Sequence, residues 1–153
     1  MPLVLESLQS LKDYAGRELG TTGWLLMTQE RIDEFAESTG DRQWIHTNPE
    51  RARLESPYGA TIAHGFLTLS LAGHFLREAI QLPNSVRRTI NYGLNRVRFP
   101  APVRAGENIR AHVRLQAARE LPDCVEAVFE ITMEVEGAAK PCCVAEWVLR
   151  YYS

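Results

Sequence analysis

Residues 63–80 read Ala63-His64-Gly65-Phe66-Leu67-Thr68-Leu69-Ser70-Leu71-Ala72-Gly73-His74-Phe75-Leu76-Arg77-Glu78-Ala79-Ile80. Phe66, Leu67, Leu69, Leu71, Ala72, Phe75, Leu76, Ala79 and Ile80 fall at helical spacing and cover more than one face. A helix that is apolar nearly all round is buried rather than laid on a surface. The spacing therefore predicts one central helix over Phe66–Ile80, and a sheet wrapped around it is the simplest cover. Gly73, in its middle, lets a neighbouring group approach closely. Leu82-Pro83-Asn84 ends the helix.

Outward from this stretch, the second half of the chain alternates apolar and polar residues with the two-residue period of strands. Ile109, Val113 and Leu115 alternate with Arg110, His112, Arg114 and Gln116, and Val125, Phe129, Ile131, Met133 and Val135 alternate with glutamates. Leu121-Pro122-Asp123 is the turn between them. Facing Arg and Glu rows on the outer side would contribute roughly 0.2–1 kcal/mol per pair. After a turn at Gly137–Pro141, Cys143, Ala145, Trp147, Leu149 and Tyr151 form another strand. Ile90 and Tyr92 share one parity and Val97 and Phe99 the other, which predicts a bulge between Gly93 and Arg96. Pro100 and Pro102 end pairing there. Upstream, Thr21–Met27 reads as a first strand, and Leu5, Leu8 and Leu11 as one face of a short helix within Leu3–Leu19. The pattern is helices followed by a four-strand meander, with one strand before: an α+β domain, not alternating βαβ units. No glycine-rich phosphate motif is present.

Before the central helix stands Gly40-Asp41-Arg42-Gln43-Trp44-Ile45-His46. Thr28 is placed to cap the preceding helix, on which Ile32, Phe35 and Ala36 share a face, and Gly40 stops it. Asn48-Pro49 opens the next helix, Asn48–Leu54. Asp41 and His46 would not share a helix face, so the reading is a short non-helical segment that folds them together. A carboxylate and an imidazole aimed at one water is general acid–base chemistry. An Asp capping a turn beside a satisfied buried histidine fits the same spacing.

The 153 residues suit one domain with one core. A net charge of −2 does not suggest a nucleic-acid surface. No apolar run reaches the ~20 residues of a membrane span. Met1–Leu11 lacks a basic start and a cleavage site, so a signal peptide is not expected there. Cys124, Cys142 and Cys143 show no zinc or disulfide spacing, which points to a reducing cytoplasm. His74 and His112 are singletons with no role assigned.

Asp41-x4-His46, followed by Ser56-Pro57-Tyr58-Gly59-x2-Ile62-Ala63-His64-Gly65-Phe66-Leu67 and then by Gly93-Leu94-Asn95-Arg96-Val97-Arg98-Phe99-Pro100-Ala101-Pro102-Val103, resembles the MaoC-like dehydratase family. That family includes the (R)-specific enoyl-CoA hydratases and the nodulation protein N-like proteins. The resemblance spans roughly Thr21 to the C-terminus. It implies a single hot-dog domain over 1–153, with an antiparallel sheet around a long helix, and hydration of trans-2-enoyl-CoA to (3R)-3-hydroxyacyl-CoA. It places the water on Asp41 and His46, and the thioester oxygen on the Gly65 amide. Gln43, Tyr58, Gly59 and His64 are candidates for lining the substrate, although fixing the loop by hydrogen bonding is the simpler role for His64. Arg87, Arg88, Arg96 and Arg98 are candidates for the CoA phosphates, because guanidinium pairs well with phosphate. No metal or organic cofactor is expected, and no membrane partner. A homodimer is expected by resemblance.

Two departures stand out. Gln43-Trp44 occupies the place where many relatives have Asn-Pro, as in the nodulation protein N-like branch. Gly73, with Ser70 one turn earlier, stands where some hydratases have a serine in the central helix. A hot-dog thioesterase and a non-catalytic acyl-CoA-binding subunit are the rival functions.

Overall fold

The computed structural model describes residues 1–153. The N-terminal leucines close one end of the core. β1 (Leu3–Val4) leads to a 3₁₀ turn over Gln9–Tyr14, and Leu5, Leu8 and Leu11 are all buried. The expected helix within Leu3–Leu19 is thus reduced to this turn, because the preceding residues are drawn into parallel pairing with the strand after the central helix.

The expected first strand over Thr21–Met27 is split into β2 (Glu18–Thr21) and β3 (Leu25–Leu26). At the break, the Thr22 hydroxyl accepts a bond from the Ala111 amide while the Thr22 amide donates to the Ala111 carbonyl. The side chain replaces a main-chain acceptor, and the strand leaves the regular ladder.

α1 (Gln29–Thr39) begins at Thr28, whose hydroxyl accepts from the Arg31 amide, and ends at Gly40 with φ +78°. α2 (Trp44–Thr47) is a single turn. α3 (Pro49–Glu55) starts from Asn48, whose side chain accepts from the Arg51 amide. The central helix is two helices, α4 (Gly65–Ser70) and α5 (Ala72–Ala79), joined at Leu71. Its burial is also less complete than the composition implied: Phe75 is fully buried but Phe66 is 72% exposed. β4 (Ile80–Gln81) then pairs with β1.

β5 (Arg88–Arg98), β6 (Asn108–Glu120), β7 (Val125–Val135) and β8 (Pro141–Tyr152) are long antiparallel strands. The strand order is β2-β6-β7-β8-β5, with β3 also on β6. Only β6-β7-β8 is a meander. β5 lies beside β8 at the far edge, because the other side of β6 is taken by β2 and β3. The expected slip in β5 is present as two register shifts, between Asn91 and Gly93 and between Leu94 and Arg96.

Ile109, Ala111, Val113 and Leu115 of β6 and Phe129, Ile131 and Met133 of β7 are fully buried. They join Phe75 and Leu76 of α5 in one apolar core. On the outer face Arg110 stands opposite Glu134 in register and donates to its carboxylate. The fold is the α+β arrangement of an antiparallel sheet around a helix.

Candidate active site

Asp41 is delivered by the end of α1. Glycine tolerates the left-handed turn at Gly40 that a side chain would strain. The chain reverses there, and Asp41 follows in the loop. His46 is not in the same non-helical segment, as the sequence reading had it. It lies in α2, whose single turn closes through amides of His46 and Thr47 on the Gln43 carbonyl. That turn replaces the extended bend and aims the imidazole inward.

His46 is buried, and its Nδ1 lies 2.6 Å from the carbonyl oxygen of Ile62. A carbonyl only accepts, so Nδ1 carries the proton and Nε2 presents a lone pair. The His46 carbonyl is held in turn by Gln29 Nε2 at 2.8 Å, and Gln29 Oε1 accepts from the Thr61 hydroxyl. Gln29 was missed in the sequence. It sits directly after a helix cap and reads there as an exposed helical position. Burial holds the His46 pKa below the usual imidazole range, with the His64 ring acting in the same direction. The Ile62 hydrogen bond and the Asp41 charge oppose that shift.

His64 is buried against His46, with ring centroids 3.8 Å apart and planes inclined by 24°. Its Nε2 lies 2.9 Å from the Asp41 carbonyl oxygen. One ligating atom from each of Asp41, His46 and His64 falls within 4.8 Å of the others. The rings stack in nearly parallel planes, and His64 Nε2 is engaged with the Asp41 carbonyl oxygen rather than open to an ion. The acceptors this arrangement offers a water molecule are the Asp41 carboxylate and His46 Nε2, while His64 Nε2 is spent on the Asp41 carbonyl.

Gly65 is the first residue of α4, so its amide has no acceptor within the helix. A Cβ at this position would lie 3.2 Å from the Phe99 ring. The helix has only six residues, so its contribution at this end is local amide polarity rather than a long macrodipole. Beside Gly65 is a cavity of about 230 Å³ bordered by Tyr58, Thr68, Phe99 and Cys142. Burial pushes the Cys142 thiol up to about 12, which makes it an inert wall rather than a nucleophile.

The other expected residues separate into near and far. Tyr58 borders the Gly65 cavity, and its carbonyl accepts from Arg104. Gly59 is a turn residue with φ +69°. Gln43 acts through its carbonyl at the start of α2. Arg96 and Arg98 are on the Phe99 end of β5, whereas Arg87 and Arg88 are at its other end. Ten residues of strand span about 33 Å, so the four arginines are not one phosphate site. Arg88 instead lies over the Tyr152 ring at 4.3 Å.

Along α4 and α5 runs an apolar groove. One part, about 300 Å³, is bordered by Phe66, Ser70, Gly73, Leu94 and Trp147. A second part, about 520 Å³, shares Gly73 and Trp147 and continues to Leu82 and Tyr151. Gly73 therefore stands at the junction.

The model of the MaoC-like domain matches residues 11–136. The chain belongs to the MaoC-like dehydratase family. The 3-hydroxyacyl-thioester dehydratase Z of Mycobacterium tuberculosis is 48% identical over 147 residues, which cover 95% of this chain and 96% of that protein. Nodulation protein N of Rhizobium leguminosarum bv. viciae is 39% identical, over 93% of this chain and 89% of that protein. Among solved structures, the (R)-hydratase of A. caviae involved in PHA biosynthesis superposes with a TM-score of 0.71 at 24% identity, covering 88% of this chain and 94% of that one. At that identity the likeness establishes the hot-dog fold. As a MaoC-like dehydratase with relatives named dehydratases, this chain is a hydro-lyase. No helix in it is long and apolar enough to cross a membrane.

Proposed function

We propose that this MaoC-like protein is an (R)-specific enoyl-CoA hydratase, adding water to trans-2-enoyl-CoA to give (3R)-3-hydroxyacyl-CoA, and catalysing the reverse dehydration. The observation that carries the reading is the set of acceptors formed by the Asp41 carboxylate and the free Nε2 of neutral His46, beside the start of α4. A water molecule has two protons to donate and would give one to each. Its oxygen lone pair is then left to attack C3.

The Gly65 amide donates to the thioester oxygen as negative charge builds there. The acid–base pair takes one proton from water as the C3–O bond forms and returns a proton to C2. No metal or organic cofactor takes part in this proposed reaction. In this reading the groove along Gly73 and Trp147 takes the acyl chain, and Arg96 and Arg98, at the Phe99 end of β5, meet the CoA phosphates.

A second copy of the chain is the proposed partner. β5 ends the sheet, and Ile90, Tyr92 and Leu94 on it are exposed, as is Phe66. An open edge of this length invites pairing with another strand. The test of activity is incubation of purified protein with a trans-2-enoyl-CoA. Loss of the double bond without release of free thiol, giving the (3R) product on chiral analysis, supports the assignment. Thiol release indicates a thioesterase, and binding without turnover a non-catalytic subunit.

A further inference from the structure

His64 ties the acid–base loop to the residue that begins α4. Its Nε2 is 2.9 Å from the carbonyl oxygen of Asp41, 23 positions earlier in the chain. Its Nδ1 is buried without a hydrogen-bond partner. A proton on Nε2 therefore has an acceptor and one on Nδ1 has none, which selects the Nε2–H tautomer. The ring is fixed on two sides, by His46 at 3.8 Å and by Phe35 at 4.9 Å.

The Gly40 amide donates to the Ala36 carbonyl and the Thr47 hydroxyl to the Arg42 carbonyl on either side of it, but the Asp41 residue itself has little else to hold it. It follows the left-handed turn at Gly40, and its amide makes only a long 3.4 Å bond to the Thr39 hydroxyl. The neighbouring Arg42 is occupied with Glu37. The bond from His64 is thus a long-range restraint on the backbone that carries the carboxylate. The next residue, Gly65, carries the amide assigned to the thioester oxygen. Adjacent residues then set the two sides of the reaction: one holds the base in place and the other receives the substrate.

We propose that His64 is a positioning residue, whose Nε2–H fixes the Asp41 main chain and through it the distance from the carboxylate to the bound water. This rests on the hydratase reading for its kinetic consequence but not for its geometry. The loss expected when the bond is removed is in kcat, with KM little changed, since no substrate contact goes with it. A misplacement of about 1 Å in such a constellation can cost about a hundredfold.

Three substitutions separate the bond from the ring. His64→Gln keeps an N–H donor near the Nε2 position. His64→Asn places its donor too close to the main chain to reach Asp41. His64→Phe keeps a ring against His46 and Phe35 and removes the donor. The expected order is His64→Gln near wild type in kcat on an enoyl-CoA, and both others reduced by about a hundredfold with KM within about threefold. Equal rates for His64→Phe and wild type would overturn the proposal, as would His64→Gln falling as low as His64→Phe. An independent measurement uses the unsubstituted protein: ¹⁵N-resolved NMR of the His64 ring at pH 8. A proton on Nε2 supports the proposal; a proton on Nδ1 overturns it, even for a folded protein with no hydratase activity. If wild type turns over no enoyl-CoA but the Nε2–H tautomer is found, the hydratase reading fails and the restraint on Asp41 stands.

Discussion

The Nδ1–H of His46 donates to the main-chain oxygen of Ile62 at 2.6 Å, and this one bond decides what His46 can do. It fixes the tautomer and leaves Nε2 as an acceptor. Ile62 is in turn held by its own amide, which donates to the Ile45 carbonyl. The Ile62 main chain is thus tied both to the His46 ring and to the residue before it.

A pH dependence follows. Burial holds the folded-state pKa of His46 below the unfolded value of about 6.5. The unfolded chain therefore binds more protons between those two values, and stability rises with pH across that interval. The contribution is full above the unfolded pKa and is lost as pH falls toward the depressed folded one. Thermal unfolding followed from pH 5 to 8 should show this slope in wild type, and His46→Gln should flatten it. Hydration activity should fall on the acid side at a pH below the ordinary imidazole range, because protonated His46 no longer accepts from water.

Gly65 and Phe99 are a second testable pair. A Cβ on residue 65 would press on the Phe99 ring at 3.2 Å. Gly65→Ala should cut kcat/KM by about tenfold or more, since small displacements of a reacting group are costly. Phe99→Ala, which removes the ring, should restore part of that loss in the double variant. Steady-state kinetics on the two single variants and the double variant checks this coupling.

The groove makes a prediction about chain length. Gly73 joins its two parts, with Trp147 3.8 Å from where a Cβ would be. Gly73→Leu should divide the groove. The kcat/KM for dodecenoyl-CoA should fall by about tenfold or more while that for crotonyl-CoA changes less than about threefold. Comparing both substrates with both proteins measures the effect.

Much of this was legible in the residues. Thr28, Gly40 and Asn48-Pro49 mark helix ends by local hydrogen bonding and backbone preference, and the helices begin and end within a residue of them. The parity change between Tyr92 and Val97 gave the bulged strand. What was not legible depends on distant partners. The position of β5 beside β8 is decided by β2 and β3 occupying β6. The division of Thr21–Met27 is decided by a Thr22 hydroxyl meeting the Ala111 amide. The α2 turn that carries His46 is too short to leave a periodicity. The support from Gln29 and the clamp from His64 are contacts between segments that are far apart in the chain.

The most direct test of the account is the turnover of trans-2-enoyl-CoA by Asp41→Asn, a near-isosteric change that removes the base. Substrate loss, free thiol and circular dichroism are measured together. The account predicts that rate falls by about a hundredfold or more while the fold is kept and no thiol is released. A folded Asp41→Asn protein that hydrates at close to the wild-type rate would contradict it.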